Sequence, residues 1–200
     1  MIRGIEKISG ILILLFLLSA CADDNDIDVI DEDLGRFQVT ISGDVNEELE
    51  GNAIFSQYVD DIDQPEEFFF TVFLEAATEA EGTVIWFARG GELPEEDTYP
   101  VHDMDEGDMD DLIDWVFEID HFLAWMFDYV FVTQTIEFTD LFFSEEGSIT
   151  LEVVDMENVA GTFEFSAIGY PVEDPEQEIE VLLIGEFNAV PGEVPIIVDF

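Results

Sequence analysis

Three apolar–polar alternations in the last third of this 200-residue chain constrain its fold most. Ile149, Leu151 and Val153 alternate with Thr150 and Glu152, and Phe163, Phe165 and Ala167 alternate with Thr162, Glu164 and Ser166. Ile179, Val181, Leu183 and Phe187 define a third run. A period of two sends successive side chains to opposite faces of a strand, so each run has one face for a core and one for water. Residues 155–158 supply a turn between the first two runs, and an acidic, proline-containing loop at 171–177 separates the second from the third. Consecutive strands joined this closely favour an antiparallel meander.

The same reading extends upstream. Phe37, Val39 and Ile41 alternate with Gln38, Thr40 and Ser42; further strand patterns lie at 51–59, 67–76 and 83–89, with a short one at 99–102. Segment 109–136 is mixed. Leu112, Trp115, Val116 and Ile119 have helical spacing, whereas 125–136 is rich in aromatic and β-branched residues. A short helix over 109–120 followed by a strand over 122–136 is the expectation. The fold class is therefore all-β, a single antiparallel β-sandwich or barrel-like domain over residues 36–200 with that one short helix. Gly161 and Gly185 read as positions of close backbone approach within strands, a packing role.

Charge excludes some partners. The chain has 50 acidic and four basic residues, a formal net charge of −46. Such a surface repels nucleic-acid phosphates and anionic headgroups, so nucleic acid is set aside as a partner. High charge with low hydrophobicity would mean disorder, but 48% of these residues are hydrophobic, enough for a core. An acidic, lysine-poor folded chain resembles proteins of extreme halophiles. At about 1 M salt the Debye length falls to about 3 Å, which removes most of the self-repulsion.

The N-terminus places the chain. Arg3 and Lys7 precede eight apolar residues, 11–18, and Leu18-Ser19-Ala20-Cys21 follows. The apolar run is far short of the roughly 20 residues that span a bilayer as a helix. The arrangement has the basic start, apolar segment and small residues of an export signal, and it resembles the lipobox of bacterial lipoproteins. That resemblance implies cleavage before Cys21, acylation of its thiol with palmitate-type chains, and a lipid bilayer as partner. Residues 1–20 are then a signal peptide, and 21–35 are the lipidated cysteine with an acidic flexible tether. After removal of the signal, Arg36 and Arg89 are the basic residues that remain. Ala22 stands where enteric inner-membrane lipoproteins carry a retaining aspartate. The acids behind it resemble the surface-export signal of Bacteroidetes lipoproteins, which implies a cell-envelope location at the outer membrane. Residues 141–192 contain Gly161-Thr162-Phe163-Glu164-Phe165-Ser166-Ala167 and Gly185-Glu186-Phe187-Asn188-Ala189-Val190-Pro191. That pattern resembles small uncharacterised lipoproteins of the same group, for which no catalytic residues are established.

Residues that could carry chemistry are few in kind. Asp103, Asp105, Asp108, Asp111 and Asp114 form the densest carboxylate cluster of the domain. Ca²⁺ takes about six to eight oxygen ligands, but Gly107 and Asp108 fall at the wrong places for a helix–loop–helix calcium loop. A solvated loop is the first reading and Ca²⁺ binding the alternative. His102 and His121 are the only histidines, and a zinc site using both would need further ligands nearby in space. Cys21, once acylated, leaves no thiol nucleophile. With no serine-nucleophile elbow or phosphate loop, no cofactor is expected and the domain reads as a non-catalytic binding or structural one, its protein or glycan ligand open. Trp86, Trp115, Trp125, Tyr58, Tyr99 and Tyr129 could stack on sugars, although aromatic rings more often fill cores. A glycan hydrolase would need an Asp/Glu pair at a set separation across a cleft.

Overall fold

A computed structural model describes residues 34–59, 68–103, 121–132, 135–171 and 177–193. They form nine strands: β1 (Gly35–Gly43), β2 (Glu47–Val59), β3 (Phe68–Ala77), β4 (Glu81–Gly90), β5 (Thr98–Val101), β6 (Leu123–Val132), β7 (Thr135–Val154), β8 (Val159–Pro171) and β9 (Ile179–Pro191). Hydrogen bonding runs β7-β6-β4-β3-β2-β1-β9-β8, and β8 pairs again with β7. Eight antiparallel strands thus close into a barrel, and β5 is an extra strand on β7. The all-β, barrel-like expectation holds. The region expected to hold a helix, 109–120, lies outside the described residues.

Closure depends on the length of β7. Its first part pairs with β6 from Thr135 to Phe143. Beyond a register shift between Ser144 and Gly147, the same edge is taken over by β5, which pairs with residues 147–150. A bulge bends a strand and increases its twist, and here it falls where the partner changes. The sequence reading placed one strand over 122–136, whereas the chain forms β6 and then a new strand from Thr135. No glycine or proline marks the break, so composition could not reveal it.

An eight-stranded barrel has an interior just wide enough for side chains to fill, and here they fill it. Phe37, Val39 and Ile41 from β1 face inward, opposite Phe187, Gly185 and Leu183 of β9. Phe87 of β4 is fully buried and lies 5.1 Å from the Phe163 ring and 5.7 Å from the Phe165 ring. Each such side chain contributes about 1.5–3 kcal/mol through burial. Gly185 makes room for this packing, because a Cβ there would sit 2.5 Å from the Phe163 ring and 2.6 Å from the Gln38 carbonyl oxygen.

Part of the barrel wall is apolar on both faces. Outside the lumen, Ala88 faces Leu123, Trp86 faces Trp125, and Trp125 faces Phe143. Ala88, Leu123, Trp125 and Phe143 are buried as a second cluster, with Trp86, Phe127, Leu141 and Tyr170 packed against it. A strand buried on both faces reads as a continuous apolar run rather than an alternation, which is why 83–89 and 122–132 lack the clean period of the C-terminal strands. On β1, β8 and β9 the outward positions instead hold Gln38, Thr40, Thr162, Glu164 and Glu186. On these three strands the apolar side faces the lumen and the polar side faces outward.

Candidate functional site

Among the described residues the lumen is filled by side chains and the open surface is the outer wall. The described residues form a groove of about 920 Å³ there, across β2, β1, β9, β8 and β7. Its floor is two rows of outward side chains created by strand register. In one row Glu50 faces Gln38, Gln38 faces Glu186, Glu186 faces Thr162, and Thr162 faces Thr150. Thr98 of β5 extends this row, its hydroxyl 2.9 Å from that of Thr150. The second row runs Glu48, Thr40, Ile184, Glu164, Ser148.

The geometry limits the chemistry. Adjacent strands are about 4.8 Å apart, so Glu50 and Glu186, separated by Gln38, stand about 10 Å apart at the backbone. That is an array of acceptors rather than a chelate. Carboxylates and hydroxyls spaced in this way accept hydrogen bonds from a hydroxyl-rich ligand, and bonds to ionised acceptors are roughly twice as strong as neutral ones. The groove is lined by neither lysine nor arginine.

A second polar feature lies inside the barrel wall. Asp128 of β6 faces Asp140 of β7, and Thr83 Oγ1 donates to its Oδ1 at 2.5 Å. Burial pushes the Asp128 carboxyl above the usual carboxylate range; the Thr83 bond acts the other way, and the charges of Asp140, Glu47 and Glu81 reinforce the rise. A carboxyl whose pKa is higher in the folded state stabilises the fold fully at pH below its unfolded value. That contribution is lost as pH rises through the folded value. Asp128→Asn keeps an acceptor for Thr83 and removes the charge. It should raise the melting temperature at pH 7 and do so much less near pH 3.5, as thermal melts at the two pH values will show. Tyr129 is likewise shifted up, by burial and by Glu75, whose Oε1 accepts from its hydroxyl at 2.8 Å.

The residues singled out from sequence fall in different places. Cys21, Asp105, Asp108, Asp111, Asp114 and Trp115 lie outside the described residues, as does the Tyr58 side chain. Asp103 is exposed just beyond β5. Among the described residues no group of three or more His, Cys, Asp or Glu is arranged to hold a metal ion. Trp125 and Tyr129 are buried and Trp86 packs on the outer cluster at 4.5 Å from Trp125, so these rings are packing groups rather than an open platform. Tyr99 packs edge-on against Phe122, and the Arg89 guanidinium sits 4.8 Å from the Tyr99 ring centre. His102 and His121 come together, their ring centres 5.8 Å apart. Sequence reasoning missed Gln38, Glu50 and Glu186 as a set. The alternations mark each as outward, but which strands are neighbours is decided only by barrel closure.

Comparison with known proteins returned no matching family model, no matching curated protein and no matching solved structure.

Proposed function

We propose that this chain is an exported lipoprotein, anchored in the cell envelope through Cys21, whose barrel is a non-catalytic binding domain for a neutral, hydroxyl-rich glycan. The observation that carries the binding reading is the outer-wall groove beside a filled lumen. Its acceptors suit sugar hydroxyls, and its carboxylates disfavour anionic polymers. Directional hydrogen bonds also persist in concentrated salt, where long-range attraction of a charged ligand is screened.

Two experiments test it. The purified mature chain is titrated against a panel of neutral polysaccharides, with Thr162→Arg as the blocking variant. Thr162 is exposed mid-groove, so the variant should fold normally and lose saturable binding. No saturable binding to any glycan, or binding that Thr162→Arg leaves intact, overturns the groove assignment. For the anchor, Cys21→Ser should accumulate the unprocessed precursor and abolish labelling by a palmitate analogue in cells. Labelling that persists in the variant rejects lipidation at this position.

A further inference from the structure

We propose that His102 and His121 form a two-imidazole site for a divalent transition-metal ion of the zinc, nickel or copper type. They are the only histidines of the chain, and the fold brings them together from the two ends of the connection between β5 and β6. The ring centres are 5.8 Å apart and the ring planes differ by 13°. In a zinc–imidazole bond the metal–nitrogen distance is about 2.0–2.1 Å, which places the ring centre about 3.2 Å from the ion. Two rings sharing one ion at a tetrahedral angle then have centres about 5.2 Å apart, and a wider angle increases that. The observed spacing is close to this, and the stacked rings must turn about their side-chain bonds to bring one nitrogen of each onto a shared ion.

The backbone on both sides is held from three strands. Val101 and Phe122 form a bridge, His102 N donates to the Phe122 carbonyl at 2.8 Å, and Phe122 N donates to the Pro100 carbonyl at 3.0 Å. Ser144 of β7 donates from its hydroxyl to the His102 carbonyl at 2.7 Å. The backbone that carries the two ligands is therefore positioned before any ion arrives, which lowers the ordering cost of binding to that of turning the two rings. A second observation points to a ligand. The His121 Nδ1 is buried with no hydrogen-bond partner among the described residues, and an unsatisfied buried nitrogen destabilises a fold unless something binds it.

The surroundings set the ion and its affinity. Asp103 follows His102 and is exposed; it can supply an oxygen ligand, with water taking the remaining positions. Two protein nitrogens with solvent are a weaker set than a closed structural site. Arg89, seated on the Tyr99 and Phe122 rings, places an opposing charge nearby, while the net charge of −46 attracts cations overall. Imidazole selects zinc, nickel and copper, whereas Ca²⁺ and Mg²⁺ prefer the many carboxylates.

That difference makes the test clean. Zn²⁺ is titrated calorimetrically into the mature chain in excess CaCl₂, which occupies the carboxylates. One zinc per chain should remain bound, and His102→Gln or His121→Gln should weaken it about 10–100-fold or more. Affinity should also fall as the solution is made acidic, because metal binding competes with protons for the imidazole nitrogens. As a readout that does not depend on how the variants fold, the imidazole C–H proton resonances of both histidines in the wild-type chain should shift together at one equivalent of zinc. Loss of all zinc binding in excess calcium, unchanged affinity in both variants, or imidazole resonances that do not move overturns the proposal.

Discussion

Replacing Phe87 with alanine should cost about 3–5 kcal/mol of stability. The side chain is fully buried in the lumen, and the rings of Phe163 and Phe165 rest on it from the opposite wall. The cavity cannot close easily, because the backbone around it is held in continuous ladders: Phe87 pairs with Val72 on one side and Ala124 on the other. Domains of this kind have about 5–15 kcal/mol in total, so the variant should sit near the edge of folding. Urea unfolding monitored by near-ultraviolet circular dichroism will measure it. A loss of less than about 1 kcal/mol would mean that the lumen is not the tightly packed core described above.

Salt should have the second large effect. The large excess of acidic over basic residues makes the chain repel itself more strongly as a compact barrel than when expanded. Adding salt shortens the range of that repulsion from about 10 Å at 0.1 M to about 3 Å at 1 M. The melting temperature should therefore rise steeply with NaCl and flatten near molar ionic strength. For a chain of this size each kcal/mol corresponds to about 2–4 °C, and a rise of about 10 °C or more between 0.05 and 1 M is expected. KCl should act like NaCl. A greater stabilisation by dilute CaCl₂ than by equal ionic strength of NaCl would signal binding to the native state, and Asp103→Ala with Asp105→Ala would then test the acidic loop as its place. A melting temperature flat across the NaCl series would reject the halophile-like account of the charge.

The strands β8 and β9 were legible because water lies on one side of them. Thr162, Glu164 and Glu186 point out while Phe163, Phe165 and Phe187 point in, and that contrast writes a period of two into the sequence. The strands β4 and β6 were harder to bound for the opposite reason. Trp86 and Trp125 pack outside the wall while Phe87 and Met126 pack inside it, so neither face is polar and the periodic signal fades. The twenty-residue β7 was legible only at its end, since Leu141, Phe142 and Phe143 interrupt the alternation and its partner changes at the bulge after Ser144.

What the sequence by itself determined is therefore local: alternation, turn-forming residues, an apolar content sufficient for a core, and a large excess of negative charge. Tertiary structure alone decided which strands are neighbours, and every candidate site depends on that. Gln38 lies between Glu50 and Glu186 because β1 pairs with both β2 and β9, and His102 meets His121 because β5 bridges the start of β6. The physical reason is the range of the forces. Side-chain patterning follows contacts with water, which each residue makes wherever its strand is placed, whereas strand pairing is settled by backbone hydrogen bonds and core packing between segments far apart in the chain.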